Sequence, residues 1–238
     1  MGAPAASGAT VRIATWNIHG GVGLDRRYRP QRIARVLAAL DADVIALQEV
    51  ELGKPDLVAA LRDCGHGYCV EGPAMRRGSQ VFGNMLLSRL PLHASRHIDL
   101  SRTGREPRAA IDAELRDPRL GPLRVLVTHL GLRGSEREAQ SRRLLQALAD
   151  EQRPLLLLGD FNEWRARPRR LHALQPRLQL AAAVATCPAA LPLLALDRIL
   201  ASPQLQVDAV AAHRAGEARI ASDHLPLVAQ LRMRTLGA

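Results

Sequence analysis

The run Leu155-Leu156-Leu157-Leu158-Gly159-Asp160-Phe161-Asn162 decides how the rest of the chain is read. Four consecutive leucines leave no polar face, so a strand here is covered on both sides, as strands are in layered α/β proteins. The run then passes through a glycine into a carboxylate, a chemically capable group at the point where the backbone leaves the sheet. The same punctuation recurs. Val11-Arg12-Ile13-Ala14-Thr15-Trp16 runs into Asn17, Val44-Ile45-Ala46-Leu47 into Gln48-Glu49, and Val125-Leu126-Val127-Thr128 into His129. Further strands are expected at 84–88, 109–115, 198–201 and 227–231.

Helical patterns lie between these runs. Ile33, Val36, Leu37 and Leu40 form the stripe of a helix with one buried face. Pro30 stands where a helix readily starts, because its missing N–H costs nothing there. Ser135-Glu136-Arg137-Glu138 has the pattern of a capping box and predicts a second helix through Leu144, Leu145 and Leu148. The Gly- and Arg-rich stretch from Gly65 to Gly83 reads as a surface loop, as does Gly104 to Arg108. With no repeat and no linker, the expected organisation is a flexible tail over 1–10 and one domain over 11–233.

The chain has 238 residues, 47% of them hydrophobic and 24% charged, which fits a folded core and excludes disorder. No stretch approaches the ~18–20 apolar residues that cross a bilayer. The first ten residues have neither the basic segment nor the apolar core of a secretory leader. Three cysteines, Cys64, Cys69 and Cys187, are too few for a disulfide framework. The expected location is therefore cytoplasmic.

Thirty-three basic residues against twenty-three acidic ones give a net charge of +10, and Lys54 is the one lysine among them. Part of this is compositional bias toward arginine. A basic balance still favours an anionic partner such as a phosphoester, a nucleic acid or an acidic lipid headgroup. Aromatics make up only 3%, too few for a base-stacking platform or an aromatic membrane belt.

Several chemistries are closed by the residues themselves. Lys54 is followed by Pro55, so no Walker-type phosphate loop is present. The sequence has neither a Gly-x-Ser-x-Gly elbow nor a His-Glu-x-x-His helix. Cys64 and Cys69 lack partners at zinc-like spacing. What remains is a distributed set of amides, carboxylates and imidazoles: Asn17, Glu49, His129, Asp160, Asn162, Asp197, Asp223 and His224. Each alone has a bland reading as a turn former, cap or core histidine. Their joint placement after buried strands favours a site.

Here a resemblance becomes specific. Thr15-Trp16-Asn17-Ile18-His19-Gly20, Leu47-Gln48-Glu49-Val50, Thr128-His129-Leu130, Gly159-Asp160-Phe161-Asn162, Leu196-Asp197-Arg198-Ile199 and Ser222-Asp223-His224-Leu225-Pro226 resemble, in chain order, the motifs of the endonuclease/exonuclease/phosphatase superfamily. The resemblance implies an α/β fold, a four-layered α/β/β/α sandwich with two mixed β-sheets face to face and helices outside. It also implies hydrolysis of a phosphodiester or phosphomonoester by in-line water attack, with Mg²⁺ as cofactor and Mn²⁺ as the alternative. Hard oxygen ligands suit Mg²⁺, and the metal residues implied are Glu49 with Asn17 beside it and Asp223, directly or through water.

His224 and Asp197 form the second unit that the resemblance implies, a carboxylate fixing the imidazole tautomer. Asp160 competes with His224 for the role of general base. Asn162 and His129 would donate hydrogen bonds to phosphate oxygens. Arg105 and Arg108, in a loop that related bacterial members also carry, suit a phosphate through an arginine fork; a solvated loop is the alternative. Trp164 lines the pocket or packs. His19 stands where abasic-site endonucleases carry an acidic residue, which argues against a pure abasic-site role. The substrate expected is a small phosphodiester or phospholipid headgroup, with DNA or RNA second. Peripheral contact with anionic lipid is compatible with the charge. A catalytically silent phosphate-binding module is the competing reading from another class.

Overall fold

The structure is a computed structural model and describes residues 10–149, 151–165 and 169–234. The tail expected over 1–10 lies outside the described residues except for Thr10. Strand alternation is what builds the layers. Along β1 (Val11–Asn17), Val11 and Ile13 face one side while Ala14 and Trp16 face the other. Both sides are buried, so the run reads as continuously apolar.

The first sheet has six strands in the order β11-β12-β1-β2-β4-β3. Its members besides β1 are β2 (Val44–Glu51), β3 (Tyr68–Arg77), β4 (Gln80–Ser88), β11 (Leu205–Ala212) and β12 (Leu227–Met233). The second, also of six strands, runs β5-β6-β7-β8-β10-β9. It comprises β5 (Leu92–Asp99), β6 (Ala109–Asp117), β7 (Gly121–His129), β8 (Leu155–Asp160), β9 (Gln179–Leu180) and β10 (Asp197–Ala201). Each sheet is mixed: β1 and β2 are parallel in one, β7 and β8 in the other, and the remaining neighbours are antiparallel.

Three apolar clusters separate the layers. Val11, Ile13, Val44 and Ala46 meet Val125, Val127, Leu156 and Leu158 between the sheets. Outside the first sheet, α1 (Pro30–Leu40) and α2 (Pro55–Arg62) cover Trp16, Ile45 and Leu47 with Ile33, Leu37, Leu40, Leu57 and Leu61. Outside the second, α3 (Gly134–Ala147) and the 3₁₀ turn Arg169–Leu174 bring Leu144, Leu171 and Leu174 onto Leu126, Leu155 and Leu157. Each such leucine contributes roughly 1.5–3 kcal/mol through burial. The result is an α/β/β/α sandwich.

Two local expectations are corrected. The stretch Gly65 to Gly83 is not a loop; most of it forms the antiparallel hairpin of β3 and β4. Its glycines serve packing: a Cβ on Gly72 would stand 2.5 Å from Ile111 of the facing sheet. The capping box is also shifted. Helix α3 begins at Gly134, and the Arg133 N–H donates to Glu136 Oε2 at 2.9 Å, so Glu136 and not Glu138 turns back to the helix start. Glu138 pairs with Arg142 and Arg170 instead. No helix among the described residues is long and apolar enough to cross a membrane.

Candidate active site

The two parallel pairs carry the chemistry. β1 and β2 end together at Asn17 and Gln48, and β7 and β8 end together at His129 and Asp160. Because the sheets lie face to face, four strand ends deliver polar side chains to one edge of the sandwich. The close approach of β7 and β8 there requires Gly159: a Cβ on it would fall 1.9 Å from the Thr128 carbonyl oxygen.

Glu49 owes its direction to a β-bulge. The register between β2 and β4 shifts between Leu47 and Val50, and Glu49 sits at φ +53. Such bulges re-aim a side chain that regular pleating would bury in a core. The Asn17 amide Nδ2 then donates to Glu49 Oε1 at 2.9 Å and to Asp160 Oδ2 at 3.1 Å, bridging the two carboxylates from different sheets. Asp160 is buried, which by itself raises its pKa. The neighbouring His129 and His224 rings, the Asn162 N–H (2.8 Å) and Asn17 outweigh that and hold it below the usual carboxylate range.

His129 stands across from this carboxylate, with Nε2 3.6 Å from Asp160 Oδ2 and 4.0 Å from Glu49 Oε1. Burial lowers its pKa. Arg108 approaches Nδ1 at 3.3 Å, and a guanidinium only donates. Nδ1 therefore keeps its lone pair, and Nε2 faces the cleft with the Asn162 amide Nδ2 3.1 Å away. Asn162, at φ +50 after β8, donates to the Leu130 carbonyl at 2.8 Å and lies against the same ring.

The remaining pair comes from the other end of the chain. His224 Nδ1 lies 2.8 Å from Asp197 Oδ2, leaving Nε2 to face Asp160 Oδ2 at 3.9 Å. Burial would lower the His224 pKa, but the Asp197 carboxylate more than compensates and the pKa is pushed up to about 12. Asp197 is raised by its own burial. One proton is thus held firmly between them. Thr186, fully buried, adds a donor to Asp197 Oδ2 at 2.5 Å. Ser222 Oγ donates to the Asn17 carbonyl at 2.8 Å and ties the His224 turn to β1. Ser222 opens the last quoted motif, but its bond to Asn17 is shown only by the fold; Thr186 has no sequence signature beyond its type.

Asn17, Glu49, His129, Asp160, Asn162, Asp197 and His224 therefore meet in one cluster. Asp223 lies at its rim, half-exposed, with Oδ1 4.0 Å from His19 Nδ1 and 3.2 Å from Ser222 Oγ. Arg108 stands behind His129, whereas Arg105 is exposed and does not line the cleft. Trp164 is exposed as well and neither packs in the core nor lines the cavity. A cavity of about 350 Å³ opens beside Glu49 and His129, walled by Phe82, Met75, Lys54 and Arg77. Two groupings could hold a cation. Glu49 and Asp160 offer carboxylate oxygens with the Asn17 side chain between them; Asp160, Asp197 and His224 have ligand atoms within 4.8 Å of one another. All three residues of the second grouping are buried, whereas Glu49 is partly exposed to the cleft, so the first is the better cation site.

The family model for the endonuclease/exonuclease/phosphatase family matches residues 14–224, a span that holds every member of this cluster. The chain belongs to that family. Family membership makes it a hydrolase of the phosphoesterase class. YbhP of Escherichia coli strain K12, an uncharacterized protein, is 29% identical over 93% of this chain and 96% of its own length. Among solved structures, an endonuclease/exonuclease/phosphatase from Beutenbergia cavernae superposes with TM-score 0.81 at 24% identity, over 94% of this chain and 72% of that one. TDP2 of D. rerio, solved with a single-strand DNA product, gives TM-score 0.73 at 20% identity, over 94% of this chain and 100% of that one. The two structures share the fold described above.

Proposed function

We propose that the protein is a divalent-metal-dependent phosphoesterase acting in the cytoplasm, with one hydrolase domain over 11–233. Its substrate is a small phosphodiester or a phospholipid headgroup, cleaved by in-line attack of water. The observation that carries this reading is the position of the Asp160 carboxylate, which faces the Nε2 atoms of two imidazoles, His129 at 3.6 Å and His224 at 3.9 Å.

The donor set fits a hard cation. Glu49 is a partly exposed carboxylate that accepts from Asn17 at Oε1, and oxygen ligands of this kind suit Mg²⁺ or Mn²⁺. Glu49 and Asn17, with Asp223 nearby, are the residues that would hold it; when bound, the cation supplies charge neutralisation at the phosphate. The chain's own groups do the rest. Asp160, anionic and flanked by hydrogen-bond donors, orients the water and accepts its proton. His224, kept protonated by Asp197, donates toward the phosphoryl oxygens as negative charge builds on them. His129 and Asn162 donate to the same charge.

A nucleic-acid substrate is the second reading, favoured by the net charge of +10. The cleft argues for the small ester. Its cations are neutralised in place: Lys54 by Glu51 at 2.8 Å, and Arg77 and Arg108 by Glu106. A groove that follows a phosphate backbone needs uncompensated cations along its length. Turnover of bis-(p-nitrophenyl) phosphate with Mg²⁺ or Mn²⁺, abolished by EDTA, is the expected result, followed by faster cleavage of soluble or lipid phosphodiesters than of DNA or RNA. A folded protein inert toward all of them would leave only a phosphate-binding module.

A further inference from the structure

Nine large apolar side chains are exposed among the described residues, and their distribution is uneven. Tyr68 and Met233 lie elsewhere. Six of the other seven stand on loops that leave the site, and the seventh, Ile220, on the short helix Ala218–Ala221 just before it. Leu24 follows Asn17 at the end of β1, Leu132 follows His129, and Trp164 follows Asp160. Leu191 and Leu193, with Leu194, lie between Thr186 and Asp197, and Ile220 precedes Asp223 and His224. Leu132, Leu191 and Leu193 are 67 to 70% exposed and Trp164 is 56% exposed.

Three of these loops are joined. The Leu24 N–H donates to the Ile220 carbonyl at 3.0 Å, and the Ala189 N–H donates to the Asp223 carbonyl at 2.7 Å. Arg219 reaches the Ala190 carbonyl. The apolar tips therefore form a rim on one side of the catalytic cluster, with Leu132 and Trp164 on loops from the other sheet. Exposed apolar tips gathered around one site mark a contact surface.

The chemistry of the partner follows from the charges between the tips. Arg26, Arg27 and Arg29 share the loop of Leu24, and Arg219 adjoins Ile220. All four are exposed, and none has an ion-pair partner among the described residues. The Arg165 guanidinium lies over the Trp164 ring at 5.1 Å. Separate apolar tips set among uncompensated arginines match a surface that is anionic outside and hydrocarbon beneath. We infer that this rim docks the protein on an anionic phospholipid surface and turns the cleft toward the headgroups. The choice of a headgroup as substrate rests on the phosphoesterase reading; docking itself does not.

Tryptophan fluorescence separates the possibilities, because Trp16 is wholly buried and Trp164 is the other tryptophan of the chain. Vesicles of phosphatidylcholine with phosphatidylglycerol should shift the emission to the blue and sediment the protein; phosphatidylcholine alone should do so weakly. The double variant Leu191→Asp, Leu193→Asp should lower partition at least about tenfold, and Arg26→Ala about fivefold at low salt. Hydrolysis of a soluble ester should stay at the wild-type rate in both. Binding without hydrolysis of any phosphoester would keep the docking surface and remove the phosphoesterase reading. Sedimentation with unmoved Trp164 emission, or a double variant that binds like wild type, would reduce the contact to bulk charge and overturn the inference. So would retention by single-stranded DNA but not by anionic vesicles.

Discussion

The buried indole N–H of Trp16 donates to the main-chain carbonyl of His224 at 2.8 Å, across 208 residues of chain. It fixes the turn that carries the imidazole to the strand that carries Asn17. The two units of the site thus share one anchor. A fully buried tryptophan with this bond serves both packing and alignment.

Trp16→Phe keeps most of the apolar volume and leaves the His224 carbonyl without its donor. An unsatisfied buried acceptor costs about 1–3 kcal/mol, read as a lower denaturation midpoint. If the bond also aligns His224, kcat should fall more than KM rises in the folded variant. Equal stability loss with unchanged kcat would make the contact purely structural.

Glu49 and Asn17 make a separable prediction. Loss of groups that orient a metal ligand commonly lowers metal affinity about 10–100-fold, so Asn17→Ala should weaken binding within that range and Glu49→Ala by at least as much. Manganese titration followed calorimetrically checks this without any substrate. Raising Mg²⁺ should restore part of the activity of either variant. Unaltered Mn²⁺ affinity in Glu49→Ala would move the cation to the Asp160, Asp197 and His224 grouping.

His224 and Asp197 act as one unit in this geometry, so their removal should not add. His224→Ala and Asp197→Ala should each reduce kcat at least about 10²-fold, as loss of acid–base groups does. The double variant should be little worse than His224→Ala, because Asp197 works through the imidazole. Fully additive losses would show that Asp197 has an independent task.

Much of this site was legible in the chain, for a physical reason. A strand buried on both faces shows its end sharply, so Asn17, His129 and Asp160 stood out as polar residues terminating apolar runs. The turn of Glu49 into the cleft was not legible, because a bulge leaves no mark in composition. Thr186 was invisible for a similar reason: it reaches Asp197 from a loop without periodicity. The β3–β4 hairpin was hidden by glycines that admit the facing sheet, and the edge strands β5 and β11 by mostly unburied patterns. Arg105 and Arg108 are three apart in sequence, yet only Arg108 reaches the site.

A carboxylate network on the outer side of the second sheet carries the last prediction. Arg124 binds Asp112 at 2.6 and 2.7 Å and Glu151 at 2.9 Å, and Arg153 holds Glu151 from the other side at 2.8 Å. The Arg153 hydrogen bond, with help from Arg124, lowers the Glu151 pKa from 4.5 to about 2. A depressed carboxylate stabilises the fold fully above its unfolded pKa, and that contribution disappears as pH falls through the folded value. Glu151→Gln removes it at every pH. The variant should therefore be less stable than wild type by a constant amount above pH 4.5, and the two denaturation midpoints should converge as pH drops toward 2. Circular dichroism melts across that window check the sign; a gap that widened in acid would contradict it. Glu151 lies away from the cleft, so hydrolysis of a soluble ester at neutral pH should be unchanged.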